Sequence, residues 1–398
     1  MNKISLVLVF LFLFQSCKKE QSNTISEGNK LNETIVSKED DSLKTFLKHY
    51  EKFFKANFNP SECPGAALVI VKDSTVLFKK GFGVKNMHTQ DAVDENTVFR
   101  IASLSKGVTA VLAGNMVDQG ELEWRQKVKE SVSQFDLRDK QQANRLRVEH
   151  LLSHTGGFYK YTNTRLIHKG LPLNRIVAAF RSTGVITREG TDYAYQNAAF
   201  SIVEKVMEKA TGKRFDKLLK ERLFVPLGMH NASSSYEEIK ANSNVALPHK
   251  WNHYSKKYNL AKLHKNYYNV AAAGGINASI SDMGEYLIAL LGHRPDVVSK
   301  KSLKEIFRPV ICTSDADTYV NLWEGVTDSF YAKGWRVLEY NGRTIMYHGG
   351  NVNQYKGQLL IDPENGIAVC ALFNGPNTYN GAVIPTFLNY YDFYKEIK

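Results

Sequence analysis

The sequence predicts an α/β protein of the α+β type, with antiparallel strands near both ends of the folded part and a mainly helical middle. The runs 66–71 and 75–81 flank Lys72-Asp73-Ser74, a pattern typical of a hairpin. Between 335 and 373, short apolar runs alternate with turn residues such as Asn341-Gly342. Strands joined by tight turns pair antiparallel. The chain between about 121 and 245 is mainly helical and loop-rich in pattern.

The chain begins with a segment typical of export. Lys3 precedes an apolar run from Ile4 to Phe14, which is short for a bilayer span and matches the core of a signal peptide. Ser16 and Cys17 follow, as at the end of a bacterial lipoprotein signal. We therefore expect residues 1–16 to be a signal peptide and Cys17 to be lipidated. An ordinary signal peptide with an incidental cysteine, or an uncleaved anchor, is the alternative.

This N-terminus predicts an exported protein of the cell envelope, anchored by its lipid to a membrane that faces the periplasm or the cell exterior. Residues 17–44 are polar and without apolar periodicity, so they are predicted to be a flexible tether. The formal net charge of +12 is spread along the chain, without a nucleic-acid-binding motif around its basic residues. We expect no nucleic-acid partner, and attribute the charge to anionic cell-surface material.

The cysteines predict neither a disulfide framework nor a metal site. If Cys17 is lipidated, Cys63, Cys312 and Cys370 remain, an odd number without close spacing. We expect buried thiols, at least one of them free, and no metal or cofactor.

Apolar spacing predicts helices on both sides of the mainly helical middle and within it. They cover 42–58, a helix that starts at Ser103 and stops at Gly120, a helix after Asn197 that closes at Gly212, 281–291 and 383–394. Ala271 to Gly275 is predicted to be a loop of small residues that allows close backbone approach.

Ser103 and Lys106 form a Ser-x-x-Lys pair at the start of the second of these helices. Three residues are nearly one helical turn, so the hydroxyl and the amine lie on the same face and the amine can take the hydroxyl proton. The pair alone is weak evidence, because two common residues match at this spacing by chance.

Two further motifs follow in order: Tyr195-x-Asn197 and His348-Gly349-Gly350. Together with Ser103-x-x-Lys106, they resemble the serine hydrolases of the β-lactamase-related superfamily, in the branch of class C β-lactamases, D,D-peptidases and esterases. The similarity extends over residues 45–395. Further landmarks are 64–65, 99–106, 150–157, 190–197, 226–229, 274–275 with 281–282, and 362–364 with Asn374.

The resemblance implies the β-lactamase/D,D-peptidase-like fold. A helix-flanked antiparallel sheet would be built from about 45–100 and 280–398, a mainly helical region from about 101–279, and the active site would lie in the cleft between them. Residues 45–398 would then form one catalytic domain.

The resemblance also implies a role for each motif residue. Ser103 would be the nucleophile, Lys106 its activating neighbour and Tyr195 the proton relay to the leaving group and later to water. Asn197 would present its amide to the substrate carbonyl. The backbone N–H groups of Ser103 and Asn351 would form the oxyanion hole, and Gly349 and Gly350 would let the substrate lie against their strand.

Two choices within the motifs bear on the chemistry. Tyr193 also precedes Asn197, but Tyr195 has the spacing of the motif, so Tyr193 is predicted to pack beside it.

His348 stands where β-lactamases generally carry lysine or arginine, and a largely neutral histidine attracts a substrate carboxylate less strongly. This favours an ester, amide or D-amino-acid peptide as the acyl substrate. Binding charge from Arg343 or Lys356 would instead leave open a β-lactamase or D,D-carboxypeptidase proper.

Rival classes of protein lack their motifs. An α/β-hydrolase needs Gly-x-Ser-x-Gly and a zinc hydrolase needs a pattern such as His-Glu-x-x-His; neither occurs in the sequence. His154 directly follows Ser153, and sequence neighbours rarely face each other, so a structural turn is predicted there rather than a triad. The remaining alternative is a non-catalytic, lipid-anchored binding module of the same fold, against which the intact Ser103, Lys106 and Tyr195 argue.

Overall fold

The computed structural model describes residues 42–59, 63–314, 320 and 323–396. It divides the chain into two units, 1–49 and 50–398. Of the first unit, residues 42–49 are described and are helical. The predicted signal peptide, Cys17 and the tether up to residue 41 lie outside the described residues, so these assignments and the domain boundaries stay predictions.

One antiparallel sheet of eight described strands runs through the second unit, in the order β2-β1-β12-β11-β10-β9-β8-β7. Two small pairs, β3 with β6 and β4 with β5, lie outside it. The strands are β1 Gly65–Lys72, β2 Thr75–Gly83, β3 Val98–Arg100, β4 His249–Asn252, β5 Lys257–Leu260, β6 Asn277–Ser279, β7 Ile311–Cys312, β8 Val326–Tyr331, β9 Arg336–Tyr340, β10 Arg343–Val352, β11 Tyr355–Asp362 and β12 Ile367–Phe373. The N-terminal hairpin joins the C-terminal strands through the β1–β12 pair, Ala66 opposite Phe373.

The helices fill the chain between and around these strands. The α-helices are α1 42–57, α2 Ser105–Asp118, α3 Val128–Ser131, α4 Lys140–Arg145, α5 Val148–Leu152, α6 Thr164–His168, α7 Leu173–Ala179, α8 Asn197–Phe200, α9 Ile202–Thr211, α10 Phe215–Leu219, α11 Val225–Leu227, α12 Tyr236–Ala241, α13 Ala271–Gly274, α14 Ile280–Leu290, α15 Lys300–Phe307 and α16 Val383–Glu396. A π-helical turn, Lys220–Phe224, joins α10 to α11.

The centre of the sheet is buried on both faces, because every residue of β12 and nearly all of β1 are buried. One face packs on α14, where Val69 approaches Gly284. Aromatic residues of 50–57 and α16 cover the other face: the Phe54 ring lies 4.9 Å from that of Phe82, and the Tyr50 ring 5.2 Å from that of Phe387. Two-sided burial explains why these strands are continuous apolar runs.

The predicted fold class is confirmed, including the hairpin, the C-terminal strands and the final helix over the sheet. Two local predictions are wrong. Ala271–Gly274 is a short helix instead of a loop, because its backbone is held from both sides by side chains described below. The α-helix predicted to start at Ser103 starts two residues later, and Ser103 lies in the preceding 3₁₀ turn, Ala102–Leu104.

The three described cysteines are free thiols. Cys63 and Cys370 are buried as predicted, but Cys312 is exposed, since it lies on the two-residue edge strand β7. Among the described residues, no helix has both the length and the apolar character needed to cross a membrane.

Candidate active site

Ser103 lies in a tight turn between β3 and α2. Ala102, the residue before it, has a left-handed backbone with φ of +52°, which is uncommon for a residue with a side chain. Strand β10 holds this turn in place: a Cβ on Gly350 would lie 2.7 Å from the Ile101 carbonyl oxygen and 3.3 Å from the Ser103 nitrogen. The glycine is required there because the two backbones are in close contact.

Lys106 follows on α2 and is completely buried. Its Nζ lies 2.7 Å from Asn197 Oδ1, 2.7 Å from the Ala273 carbonyl oxygen and 3.3 Å from Ser103 Oγ. Burial, and then the charge of Arg336, hold the pKa of Lys106 well below its ordinary value of 10.5. A neutral amine has two N–H groups and one lone pair. Because both oxygens at 2.7 Å take N–H groups, the lone pair of a neutral Lys106 would face Ser103.

Tyr195 approaches Ser103 from the other side, with 3.0 Å between its Oη and Ser103 Oγ. Burial raises the pKa of Tyr195, and the hydrogen bond with Ser103 lowers it less. The phenol therefore keeps its proton at neutral pH. The ring of Tyr193 packs at 5.2 Å from that of Tyr331, and Tyr193 lines the same cavity as Ser103 and Tyr195.

Asn197 begins α8 and completes this cluster. Because its Oδ1 accepts from Lys106, its amide N–H₂ faces other acceptors, and Tyr267 is one hydrogen-bond partner of this amide. Ser103, Tyr195 and Asn197 line one cavity of about 650 Å³, so residues 92 and 94 positions apart in sequence meet as the motifs predict.

The second half of β10 forms one wall of this cavity. β10 pairs with β9 from Arg343 to Tyr347 and with β11 as far as Val352. Past Tyr347, no described strand pairs with β10 on the β9 side, and Gly349, Gly350 and Asn351 line the cavity. An extended substrate can lie along such a strand edge by hydrogen bonding to its backbone.

His348 lies behind that wall and is 1% exposed. Its Nδ1 contacts the Gly349 carbonyl oxygen at 2.8 Å, and its Nε2 contacts Tyr331 Oη at 3.2 Å. A carbonyl only accepts, so Nδ1 carries the proton and Nε2 accepts from Tyr331. Burial, followed by the charges of Arg336 and Lys106, lowers the pKa of His348 well below 6.5. The structure thus places a neutral imidazole behind the strand and not in the cavity.

The positive charge of the cavity comes from residues that sequence reasoning mostly missed. Lys160, Arg336 and Lys356 line it, and no aspartate or glutamate is among its described lining residues. Lys356 was one of the two cations considered from the sequence. The other, Arg343, is bound to two carboxylates elsewhere, with Nε 2.8 Å from Asp362 and Nη2 2.6 Å from Asp392.

The position of Arg336 near the site could have been predicted from the sequence. The two-residue turn Asn341-Gly342 fixes the register of the strands around it, and Arg336 consequently pairs with Tyr347, one residue before His348. The position of Tyr267 could not have been predicted in this way. It lines the cavity from a left-handed backbone with φ of +74°, in a loop whose conformation the sequence does not indicate.

His154 supports Tyr195 and is not part of a triad. It is 2% exposed, and its ring centroid lies 4.4 Å from that of Tyr195. Its Nδ1 accepts the backbone N–H of Gln196 at 3.2 Å, while its Nε2 has no partner among the described residues. Ser153 Oγ instead contacts the carbonyl oxygen of Glu149 and the hydroxyl of Thr155.

Within the described residues, no group of three or more His, Cys, Asp or Glu could hold a metal ion.

A serine, a buried lysine and a tyrosine that meet beside a strand edge agree with the family predicted from the motifs, and a family model described as Beta-lactamase matches residues 51–386. The chain belongs to the beta-lactamase family of serine hydrolases. Penicillin-binding protein 4 of Amycolatopsis lactamdurans is 31% identical to this chain over 339 residues, which are 82% of this chain and 85% of that protein.

Two other proteins share less sequence identity with this chain. Unguisins hydrolase ungD' of Aspergillus campestris is 26% identical over 366 residues, which are 90% of this chain, and the chain spans 66% of the length of that relative. The structure of the octameric penicillin-binding protein homologue from Pyrococcus abyssi shares the fold, with a TM-score of 0.72 and 22% identity over 86% of this chain and 77% of that one.

Proposed function

We propose that the protein hydrolyses its substrate through an acyl-enzyme on Ser103. The observation that carries the proposal is the hydrogen bonding of Lys106. Its two N–H groups are taken by Asn197 Oδ1 and the Ala273 carbonyl oxygen, so the lone pair of the neutral amine faces Ser103 Oγ. A serine hydroxyl needs an adjacent base to act as a nucleophile.

In the acylation step, Lys106 takes the Ser103 proton while Oγ attacks the substrate carbonyl carbon. The negative charge that develops on the carbonyl oxygen is stabilised by the backbone N–H groups of Ser103 and Asn351. Collapse of the tetrahedral intermediate breaks the bond to the leaving group, which receives a proton from Tyr195, and Lys106 returns a proton to the phenolate. The same groups then activate a water molecule, which releases the acid product and regenerates Ser103.

The substrate we propose is an ester, an amide or a D-amino-acid peptide. The names of two relatives, a hydrolase of unguisins and a penicillin-binding protein, support an acyl donor of the amide type. Arg336 and Lys356 in the cavity favour a donor that carries a carboxylate, although His348 is neutral. These two cations therefore support the alternative function, a β-lactamase or D,D-carboxypeptidase proper.

Intact-mass spectrometry of residues 40–398 tests the proposal. Wild type and Ser103→Ala are each incubated with a p-nitrophenyl ester, a D-Ala-D-Ala peptide and a fluorescent penicillin. We expect an acyl adduct in the wild type that is absent in Ser103→Ala, and the donor that turns over fastest identifies the substrate class. Failure of every donor and of a fluorophosphonate probe to label the folded wild type would instead favour the non-catalytic binding module.

We further propose that the chain is exported and anchored through a lipid on Cys17. Support comes from the apolar run that precedes this cysteine. Metabolic labelling with a fatty-acid analogue is expected to mark the full-length protein and not Cys17→Ala. Equal labelling of both would rule out this anchor.

A further inference from the structure

The short helix α13 and Ile276 just after it are attached to α2 by three hydrogen bonds. The Ala273 carbonyl oxygen accepts from Lys106 Nζ at 2.7 Å, and the Ala272 carbonyl oxygen accepts from Thr109 Oγ1 at 3.0 Å. Just past α13, the backbone N–H of Ile276 donates to Ser105 Oγ at 3.1 Å. The direction of the Ala273 carbonyl therefore depends on how this segment is held.

A buried carboxyl group holds α13 from the opposite side. Glu204 on α9 is 7% exposed, and its Oε1 accepts the backbone N–H of Ala272 at 2.9 Å. The N–H groups in the first turn of a helix have no acceptor within the helix, so Glu204 satisfies a donor that is otherwise buried without a partner. The backbone of Ala272 and Ala273 thus connects Glu204 to Thr109 and Lys106.

We propose that Glu204 is a positioning residue of the reaction, which fixes α13 so that the Ala273 carbonyl holds one N–H of Lys106 and leaves its lone pair on Ser103. The inference rests on the acyl-enzyme mechanism proposed above. If α13 shifts, the released N–H turns towards Ser103 Oγ and the base is misdirected. The loss then appears in the rate of acylation more than in substrate binding.

The charges around Glu204 determine which substitution is conservative. Burial raises the pKa of Glu204 to about 8, so the carboxyl is mostly neutral at pH 7 and glutamine preserves both its charge and its acceptor oxygen. The charged groups that face it are Glu208, Lys205 and Asp216, with Arg214 and Glu237 in the adjoining cleft and Lys106 beyond α13.

The test compares Glu204→Met, Glu204→Gln and Glu208→Met with p-nitrophenyl acetate as substrate. Glu208 is a matched control: it lies one turn later on α9 and also accepts a backbone N–H, but from Phe215 at 3.1 Å in α10. We expect Glu204→Met to lower the acylation rate roughly tenfold with KM within about twofold. Glu204→Gln and Glu208→Met are expected to acylate like the wild type.

A wild-type rate in Glu204→Met, no rescue by Glu204→Gln, or an equal loss in Glu208→Met would each overturn the inference. If Glu204→Met does not fold, Glu204→Asp replaces it, because its shorter side chain keeps the carboxyl group but cannot reach the Ala272 N–H. Glu204→Asp is expected to acylate more slowly than Glu204→Gln; equal rates in the two variants contradict the proposal. Absence of any Ser103 adduct in the wild type would signal failure of the proposed function itself.

Discussion

Lys106 Nζ donates to Asn197 Oδ1 across 2.7 Å, and this contact joins the residue proposed as base to the residue proposed to bind the substrate carbonyl. The amide oxygen carries no net charge, so it orients the amine while stabilising its charged form less than a carboxylate would. That distinction matters because burial and the charge of Arg336 already lower the pKa of Lys106. The acylation rate is therefore expected to rise with pH through this lowered pKa and then to level off.

Asn197→Asp tests this relationship. A carboxylate in place of the amide oxygen favours protonated Lys106 and raises its pKa, so the midpoint of the rising pH profile should move up by about one unit or more. The measurement is the acylation rate with p-nitrophenyl acetate as a function of pH. Asn197→Leu is the control that removes the contact without adding a charge. An unchanged or lower midpoint in Asn197→Asp would contradict the assignment of Lys106 as base.

Tyr195→Phe and Tyr193→Phe distinguish the two tyrosines before Asn197. Tyr195 Oη lies 3.0 Å from Ser103 Oγ, whereas the Tyr193 ring packs on Tyr331. We expect loss of the Tyr195 hydroxyl to lower kcat about 10²-fold or more, and loss of the Tyr193 hydroxyl to change it only a few-fold. Steady-state kinetics on an amide substrate, whose leaving group requires a proton, give the comparison. Similar losses in the two variants would remove Tyr195 from the relay role.

Arg336→Gln tests whether the cavity binds a carboxylate. We expect kcat/KM for a peptide with a free terminal carboxylate to fall about tenfold, relative to the same peptide with an amidated terminus. The ratio of the two substrates is essential because Arg336 also lowers the pKa of Lys106, which affects both equally. Lys160→Gln is the control for another positive charge that lines the same cavity. If the ratio of kcat/KM values is unchanged in Arg336→Gln, an uncharged ester becomes the favoured substrate.

Gly350→Ala tests the packing of β10 on the nucleophile turn. The added methyl would lie 2.7 Å from the Ile101 carbonyl oxygen, so the turn or the strand must move. We expect a loss of about 1–3 kcal/mol in unfolding free energy and a larger loss of acylation, since both N–H groups of the proposed oxyanion hole are displaced. In Gly184→Ala, where nothing lies within 4 Å of the added methyl, both quantities should stay near wild type. Full activity in folded Gly350→Ala would show that the contact does not set the geometry.

The motifs predicted which residues meet because each lies at an element end that the sequence marks well. The Ser103 turn precedes an apolar helix, Asn197 begins α8, and Gly349 and Gly350 lie on a strand bounded by clear turns. The sheet was predictable for the same reason, since its central strands are continuous apolar runs between turn residues.

The remaining features depend on tertiary contacts that local patterns do not carry. The burial of His348 depends on Tyr331 of β8, a strand next to the edge of the sheet whose largely exposed first half shows no apolar alternation. The run 271–275 resembles a loop because its residues are small, but Lys106, Thr109 and Glu204 hold it as a helix. Neither arrangement can be inferred without knowing which distant segments approach.

Three buried histidines predict loss of stability in mild acid. Burial lowers the pKa of His249 from 6.5 to about 4, and it lowers the pKa values of His154 and His348 well below their ordinary value. As the pH falls below about 6.5, the unfolded chain takes up protons that the folded protein does not bind, so the stability present above that pH is lost. Glu204 has the opposite effect on the pH dependence of stability. Its raised pKa lets the folded state hold a proton that the unfolded chain releases, so the stability of the folded state falls as the pH rises towards 8.

His249→Gln isolates one of these contributions away from the active site. His249 Nε2 accepts the backbone N–H of Met87 at 3.3 Å, a contact that a glutamine oxygen can replace. We expect the slope of unfolding free energy against pH to be shallower by about 1.4 kcal/mol per pH unit between about pH 6 and about pH 4.5. Urea unfolding at a series of pH values, referenced to each protein at pH 7.5, gives the two slopes. Parallel slopes for wild type and variant would mean that His249 titrates alike in the folded and unfolded states.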